Sequence, residues 1–135
     1  MEKIRINKKG LRWHRSGHPW IYKGDAADKN LKNISGEIVE VLSEAGEFLG
    51  KAFYNPLSKI ILRFITKTDE AVDKEFWRRR LKEALSYRKT VVPDADACRI
   101  VFSESDFIPG LILDKYGNHL VMQTLTLGMD NLIGI

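Results

Sequence analysis

Between Glu37 and Thr66 the chain alternates three short apolar runs with tight turns, and this spacing leaves few folds open. Glu37 to Leu42, Glu47 to Tyr54 and Ile60 to Thr66 have the length and the β-branched and aromatic content of strands, separated by Ser43-Glu44-Ala45-Gly46 and by Asn55-Pro56. Three such strands predict a small antiparallel barrel or sandwich, with closure favoured because an open edge pairs with other chains. Upstream, Ile4 and Ile6 alternate with Lys3, Arg5 and Asn7 in the period of a half-buried strand, which Lys8-Lys9-Gly10 ends. Leu11 to Arg15 has the length of one helical turn. In Gly17-His18-Pro19-Trp20-Ile21-Tyr22-Lys23-Gly24, Pro19 fixes its own φ and drives His18 extended, so Trp20 enters a second strand with Tyr22 on the same side. Asp25 to Ser35 reads as polar loop with Leu31 and Ile34 turned inward, and Gly36 closes it as a turn residue.

After Thr66 the period changes. Phe76, Trp77, Leu81, Ala84, Leu85 and Arg88 recur at spacings of three and four, with Arg78, Arg79, Lys82, Glu83 and Lys89 between them, which predicts an amphipathic helix. Asp73 is its N-cap, and Val91-Val92-Pro93 stops it. Glu75 with Arg79 and Arg79 with Glu83 offer exposed pairs of about 0.2–0.5 kcal/mol each, so packing of Phe76, Trp77 and Leu81 carries the helix. Beyond the link Asp94 to Ala97, strands follow at Arg99 to Ser103, Leu111 to Asp114 and His119 to Thr124, the last two joined by a Tyr116-Gly117-Asn118 turn. Met129 to Ile135 has the spacing of a starting helix whose Leu132, Ile133 and Ile135 meet nothing further along, which predicts a fragment.

The 135 residues suffice for one ordinary domain or two small ones, and 44% hydrophobic residues suffice for a core. Lys and Arg (22) exceed Asp and Glu (18) only modestly, but from Met1 to Gly24 seven cations face Glu2 alone. That concentration points to a nucleic-acid backbone. A single cysteine excludes an internal disulfide, and neither a signal-peptide core nor an apolar run of about 18–20 residues is present, so a soluble cytoplasmic protein with no membrane partner is expected.

Catalytic motifs fail on spacing. Gly46-Glu47-Phe48-Leu49-Gly50-Lys51 is one residue short of a phosphate-binding loop, and Ala52 stands where that loop needs a hydroxyl. No two glycines stand one residue apart, so the start of a dinucleotide or adenosyl-cofactor fingerprint is missing. His14, His18, His119 and Cys98 share no metal-ligand spacing, and Cys98, beside Ile100, Val101 and Phe102, reads as a small core residue. Glu104 and Asp106 suit an acid and base pair or, more simply, an acidic turn that accepts backbone N–H groups, with Arg99 as the nearest salt-bridge partner. No catalytic residue and no metal ligand is assigned. For RNA, the candidate contacts are Lys8, Lys9, Arg12, Arg15, Lys23 and Lys51 on phosphates, with His18 beside them and Trp13, Trp20 or Tyr22 available to stack on an unpaired base. Large aromatics usually bury, which favours Trp20 in the core over Trp20 as a contact.

The sequence resembles the N-terminal part of the RlmI-like family of PUA-domain-containing, S-adenosylmethionine-dependent cytosine-C5 methyltransferases of large-subunit ribosomal RNA. The likeness runs through His18-Pro19-Trp20-Ile21-Tyr22, Gly36-Glu37-Ile38-Val39, Phe48 to Pro56 with Ser58, and Ile60 to Arg63; it resumes from Phe102 to Gly117. The resemblance implies an α+β chain: a PUA-type β pseudobarrel over residues 1–68, an amphipathic helix and linker over 69–97, and over 98–135 a β-hairpin segment that begins an incomplete central domain. It implies ribosomal RNA as the partner and S-adenosylmethionine as a cofactor of the longer protein rather than of this chain. It also implies a cleft beside the central domain, for which Arg99, Glu104 and Asp106 are the candidate lining residues. The family's catalytic cysteine belongs to a later domain, and Cys98 does not match it. Two other readings stand beside this one. The first is a protein-interaction or dimerisation module using the barrel edge and Leu132 to Ile135; the second is a small hydrolase using Glu104 and Asp106.

Overall fold

The computed structural model describes residues 1–28 and 34–133, so Leu31 and the terminal Ile135 lie outside the described residues. The chain divides into two compact units, Met1–Glu70 and Ala71–Ile135.

In the first unit, β1 (Lys3–Ile6) turns Ile4 and Ile6 into the core and leaves Lys3 and Arg5 outside. The helix that follows, α1 (Lys8–Arg15), starts three residues earlier than the apolar pattern predicts. Asn7 caps it, its side-chain oxygen accepting from the Lys9 and Gly10 amides at 3.0 Å each, a contribution of about 1 kcal/mol. Gly10 therefore does not end the strand but lies inside the helix. A Cβ there would come within 3.0 Å of the Asp25 carbonyl oxygen, so the residue is small because another chain segment crosses it.

β2 (Trp20–Tyr22) passes through a 3-10 turn at Lys23–Asp25. After it come β3 (Ile38–Ser43), β4 (Phe48–Tyr54) and β5 (Ile60–Thr66). The sheet order is β1-β3-β4-β5-β2. The expected barrel is not wholly antiparallel, since β1 runs parallel to β3 with Lys3 opposite Glu40. A parallel pair needs a long connection, and here α1 and β2 both lie between β1 and β3 in the chain. The sheet curls until the segment after β2 reaches β1: the Asn7 amide donates to the Asp25 carbonyl and the Ala27 amide to the Arg5 carbonyl, both at 2.9 Å, with an Ile6–Ala26 bridge between them. The β1 edge is thus covered.

The core of this unit gathers Ile4, Ile6, Ile21, Val39, Val41, Leu49, Tyr54, Ile61, Leu62 and Phe64, with Leu11 and Ile34 packed against it. Each such aliphatic or aromatic side chain contributes about 1.5–3 kcal/mol by burial. Gly50 belongs to this packing and not to a phosphate loop. Its φ is +144°, and a Cβ would lie 2.3 Å from the Thr66 carbonyl oxygen, so β4 and β5 approach each other where no side chain fits.

In the second unit, α2 (Lys74–Val91) is capped by Asp73, whose carboxylate accepts from the Phe76 amide at 2.9 Å. β6 (Ala97–Phe102), β7 (Leu111–Tyr116) and β8 (His119–Thr124) form an antiparallel meander, with Tyr116 opposite His119 across the tight turn. A short α3 (Leu127–Asp130) follows, capped by Thr126. Phe76 and Ala84 are the buried positions of α2, while Leu81 and Leu85 stay partly exposed, so the helix rests on a narrower apolar stripe than its periodicity predicts. Glu75 pairs with Arg78 and Glu83 with Arg80 at spacings of three.

Candidate nucleic-acid interface

Helical spacing sets out the first part of this surface. Lys8, Arg12 and Arg15 follow one another at intervals of four and three on α1, so they share a face, and all three are exposed. Lys9 points elsewhere: its ammonium lies 3.1 Å from the carboxylate of buried Asp25 and offsets that charge. Arg15 is held by exposed Glu47 at 3.0 Å.

After α1 the chain reverses at Gly17, whose φ is +90°, and the His18 amide returns to the Trp13 carbonyl at 3.1 Å. The turn gathers four rings. His18 stands between Trp13, Trp20 and Tyr22, with ring centroids 5.7, 5.8 and 6.2 Å away. Its Nδ1 lies 3.2 Å from both the amide nitrogen and the carbonyl oxygen of Trp20, which fixes the ring over the turn. Trp20 is not in the core. Strand alternation buries Ile21 and turns Trp20 and Tyr22 outward, and Tyr22 and Trp13 remain 40% and 42% exposed. Arg63, directly opposite Trp20 in the β2–β5 ladder, lays its guanidinium 5.0 Å from the indole centroid. Lys23 is exposed, and its amide bonds the carbonyl of exposed Lys59 at 2.9 Å.

Two placements depart from expectation. Lys51 is buried, its ammonium 2.6 Å from the Glu70 carbonyl and 3.0 Å from the Asp69 carboxylate, so it ties down the end of the first unit and presents nothing to a phosphate. Arg63 had no sequence signal of its own; only the register of β2 against β5 brings it over Trp20. Buried His14 stacks on Phe64 with centroids 4.4 Å apart, and its pKa is lowered, first by burial and then by the Lys67 charge. It is a neutral core residue, and among the described residues no group of three or more His, Cys, Asp or Glu could hold a metal.

The acidic turn of the second unit is closed on itself. The Asp106 carboxylate accepts from the Arg88 guanidinium and from the Phe102 amide, each at 2.6 Å. Glu104 is hydrogen-bonded to the Ser103 hydroxyl, whose oxygen also accepts from the Gly110 amide at 2.8 Å. The expected partner, Arg99, instead holds Asp114 through two bonds of 2.8 and 3.0 Å. The hydrogen bond from Arg99 keeps the Asp114 carboxyl below the usual carboxylate range.

Residues 4–67 match the family model of the PUA-like domain, so the first unit is a PUA-like domain. The similarity extends further along the chain. "Ribosomal RNA large subunit methyltransferase I" of Alteromonas mediterranea is 38% identical over 117 residues, covering 84% of this chain and 30% of the relative, and that of Klebsiella pneumoniae is 35% identical over 116 residues, covering 84% and 29%. The chain is an N-terminal RlmI-like portion, spanning under a third of the length of these curated relatives. Among solved structures, a Streptococcus mutans protein assigned as a SAM-dependent methyltransferase superposes with a TM-score of 0.85 at 18% identity, over 98% of this chain and 35% of its own. A methyltransferase structure holding SAH superposes at 0.86 with the same identity and coverage; both report the fold.

The described residues do not fit S-adenosylmethionine. A dinucleotide-type cradle needs a glycine-rich turn between a strand and a helix. Here β1 passes to α1 through Asn7, β5 to α2 through a segment without glycine, and Gly10 is backed by the Asp25 carbonyl.

Proposed function

We propose that this chain holds ribosomal RNA for a SAM-dependent cytosine-C5 methyltransferase of the large subunit, the chemistry belonging to residues outside it. The observation that carries the reading is the convergence, on one PUA-like domain, of the α1 cations with the rings of Trp13, His18, Trp20 and Tyr22 and the guanidinium of Arg63. Lys8, Arg12, Arg15 and Lys23 supply sequence-independent attraction to phosphates. Exposed Trp13 and Tyr22 offer faces to an unstacked base. The α1 charges thus act on affinity and salt response, whereas the rings act on the base.

The test is binding of single-stranded RNA to the whole chain over a range of salt. If these four cations neutralise about four phosphates, log K falls with log salt at a slope of roughly −2.8. Lys8→Glu with Arg12→Glu abolishes most of that binding and flattens the slope. Unchanged affinity in this double variant overturns the proposal.

A further inference from the structure

The apolar residues of α2 fall into two rows, of which the second unit buries only one. Phe76 and Ala84 are buried, with Arg80 half-buried between them. One residue on, and so about 100° around the helix, Trp77, Leu81 and Leu85 follow at intervals of four. Trp77 is half-buried, its ring perpendicular to that of Phe76 with centroids 5.0 Å apart, whereas Leu81 and Leu85 are 37% and 39% exposed. These three line a groove of about 350 Å³, shared with Lys74, Arg78 and Lys82. A lone exposed leucine is ordinary, but an aligned row of apolar side chains along one groove marks a contact surface.

The charges beside that row are of one sign. Lys74, Arg78 and Lys82 also recur every four residues, all of them exposed, and they run alongside the leucines. Arg78 pairs with Glu75, while Lys74 and Lys82 make no ion pair among the described residues. Toward β6 the helix is different. A groove of about 890 Å³ lies there, and its arginines are all matched: Arg80 with Glu83, Arg88 with Asp106 and Arg99 with Asp114. The unmatched lysines of α2 thus stand beside its uncovered leucines, on a helix whose seven Lys or Arg meet only two Glu.

We infer that this face of α2 docks an acidic amphipathic helix of another protein, whose apolar ridge fills the groove along Trp77, Leu81 and Leu85 and whose carboxylates meet Lys74 and Lys82. A ridge of residues four apart is what a second helix packs against, and one apolar face laid into a groove is a recurrent mode of helix recognition. Charge complementarity selects the occupant. A second copy of α2 would bring the same cations to the groove, and like charges repel. A nucleic acid would satisfy the lysines but leave Leu81 and Leu85 in water, because a base stacks on rings and leucine has none. A helix lying in a lipid surface inserts its main apolar face, and here that face, Phe76 and Ala84, is already buried in the protein. An acidic helix covers the leucines and neutralises the lysines together. The inference uses none of the residues of the RNA reading, so each can fail alone.

The experiment uses the whole chain and a fluorescein-labelled synthetic peptide as long as α2, with leucines at helical spacings of three and four, glutamates flanking them and alanine elsewhere. Anisotropy reads its binding at several salt concentrations. Leu81→Gln with Leu85→Gln keeps good helix formers in place, and circular dichroism checks the fold. Affinity falls about fivefold or more, with the salt slope unchanged because no charge is altered. Lys74→Glu with Lys82→Glu lowers affinity about threefold or more and gains binding to a peptide carrying lysine in place of each glutamate. A smaller loss in either variant overturns the inference, as does a parent protein that leaves the peptide unbound or binds equally well a peptide with every leucine changed to alanine. Sedimentation that shows a parent dimer and a monomer of the leucine variant gives the face to a second copy. Oligouridine, or vesicles of equal parts phosphatidylserine and phosphatidylcholine, that bind the parent and lose affinity for the leucine variant give it to nucleic acid or to lipid. Each of these three results overturns the inference.

Discussion

The two cationic helices differ in how their charges are held. On α1, Lys8 and Arg12 stand on an exposed face, and the rings beside them cluster around a histidine. In the second unit the groove arginines are each tied to a carboxylate: Arg80 to Glu83, Arg88 to Asp106 and Arg99 to Asp114. Similar excesses of positive charge therefore serve different ends. Net charge along a segment says how strongly it attracts a polyanion, but the positions of the acids decide which cations are movable contacts and which are fixed parts of a wall.

The largest effect expected from breaking this contrast is at Asp106. Its pair with Arg88 has side chains only 8% and 16% exposed, so Asp106→Ala leaves the guanidinium charge unpaired and the Phe102 amide without its acceptor, while Arg88 Nε keeps the Arg99 carbonyl. Removing one partner of such a pair costs about 3 kcal/mol. Urea unfolding of the variant measures it, and a loss below 1 kcal/mol would mean that Arg88 finds solvent instead.

Next in size is the pH response of the first unit, which α1 brings in through His14. Folding lowers its pKa from the ordinary histidine value of 6.5, first by burial, so below that value the unfolded chain takes up the proton more readily. Stability is therefore full above the unfolded pKa and falls as pH drops through 6.5 toward the folded pKa. His14→Phe makes thermal stability flatter across that window; an identical pH profile in parent and variant would remove His14 from the account.

The smallest effect sharpens the contrast from the exposed side. Glu47→Gln releases Arg15 from a solvent-exposed pair worth about 0.2–1 kcal/mol. Stability scarcely changes, and RNA affinity rises about twofold as Arg15 becomes free for a phosphate. A fall in RNA affinity would show that Glu47 holds Arg15 in its binding position.

Much of this was legible in the order of residues. Alternation at Ile4 and Ile6, the three runs from Glu37 to Thr66, the Asp73 cap and the Gly117 turn all express local rules, and the structure has strands, helix and turn at those places. The residue pattern makes Gly10 a breaker, whereas the cap at Asn7 and the crossing of Asp25 start α1 at Lys8. Trp20 has the size of a core residue, whereas its alternation with Ile21 sets it half-buried on the opposite face. Lys51 resembles a contact because a lone cation on a strand gives no sign of the Asp69 carboxylate and the Glu70 carbonyl that meet it from the end of the first unit.

Local pattern thus settled which segments are strands and helices and where positive charge concentrates, because periodicity, capping and turn chemistry act over a few residues. Tertiary contacts settled the rest: β1 parallel to β3, Arg63 over Trp20, Arg88 with Asp106 and Arg99 with Asp114. Those contacts join residues far apart in the chain, and their energies exist only once the core has brought the strands into register.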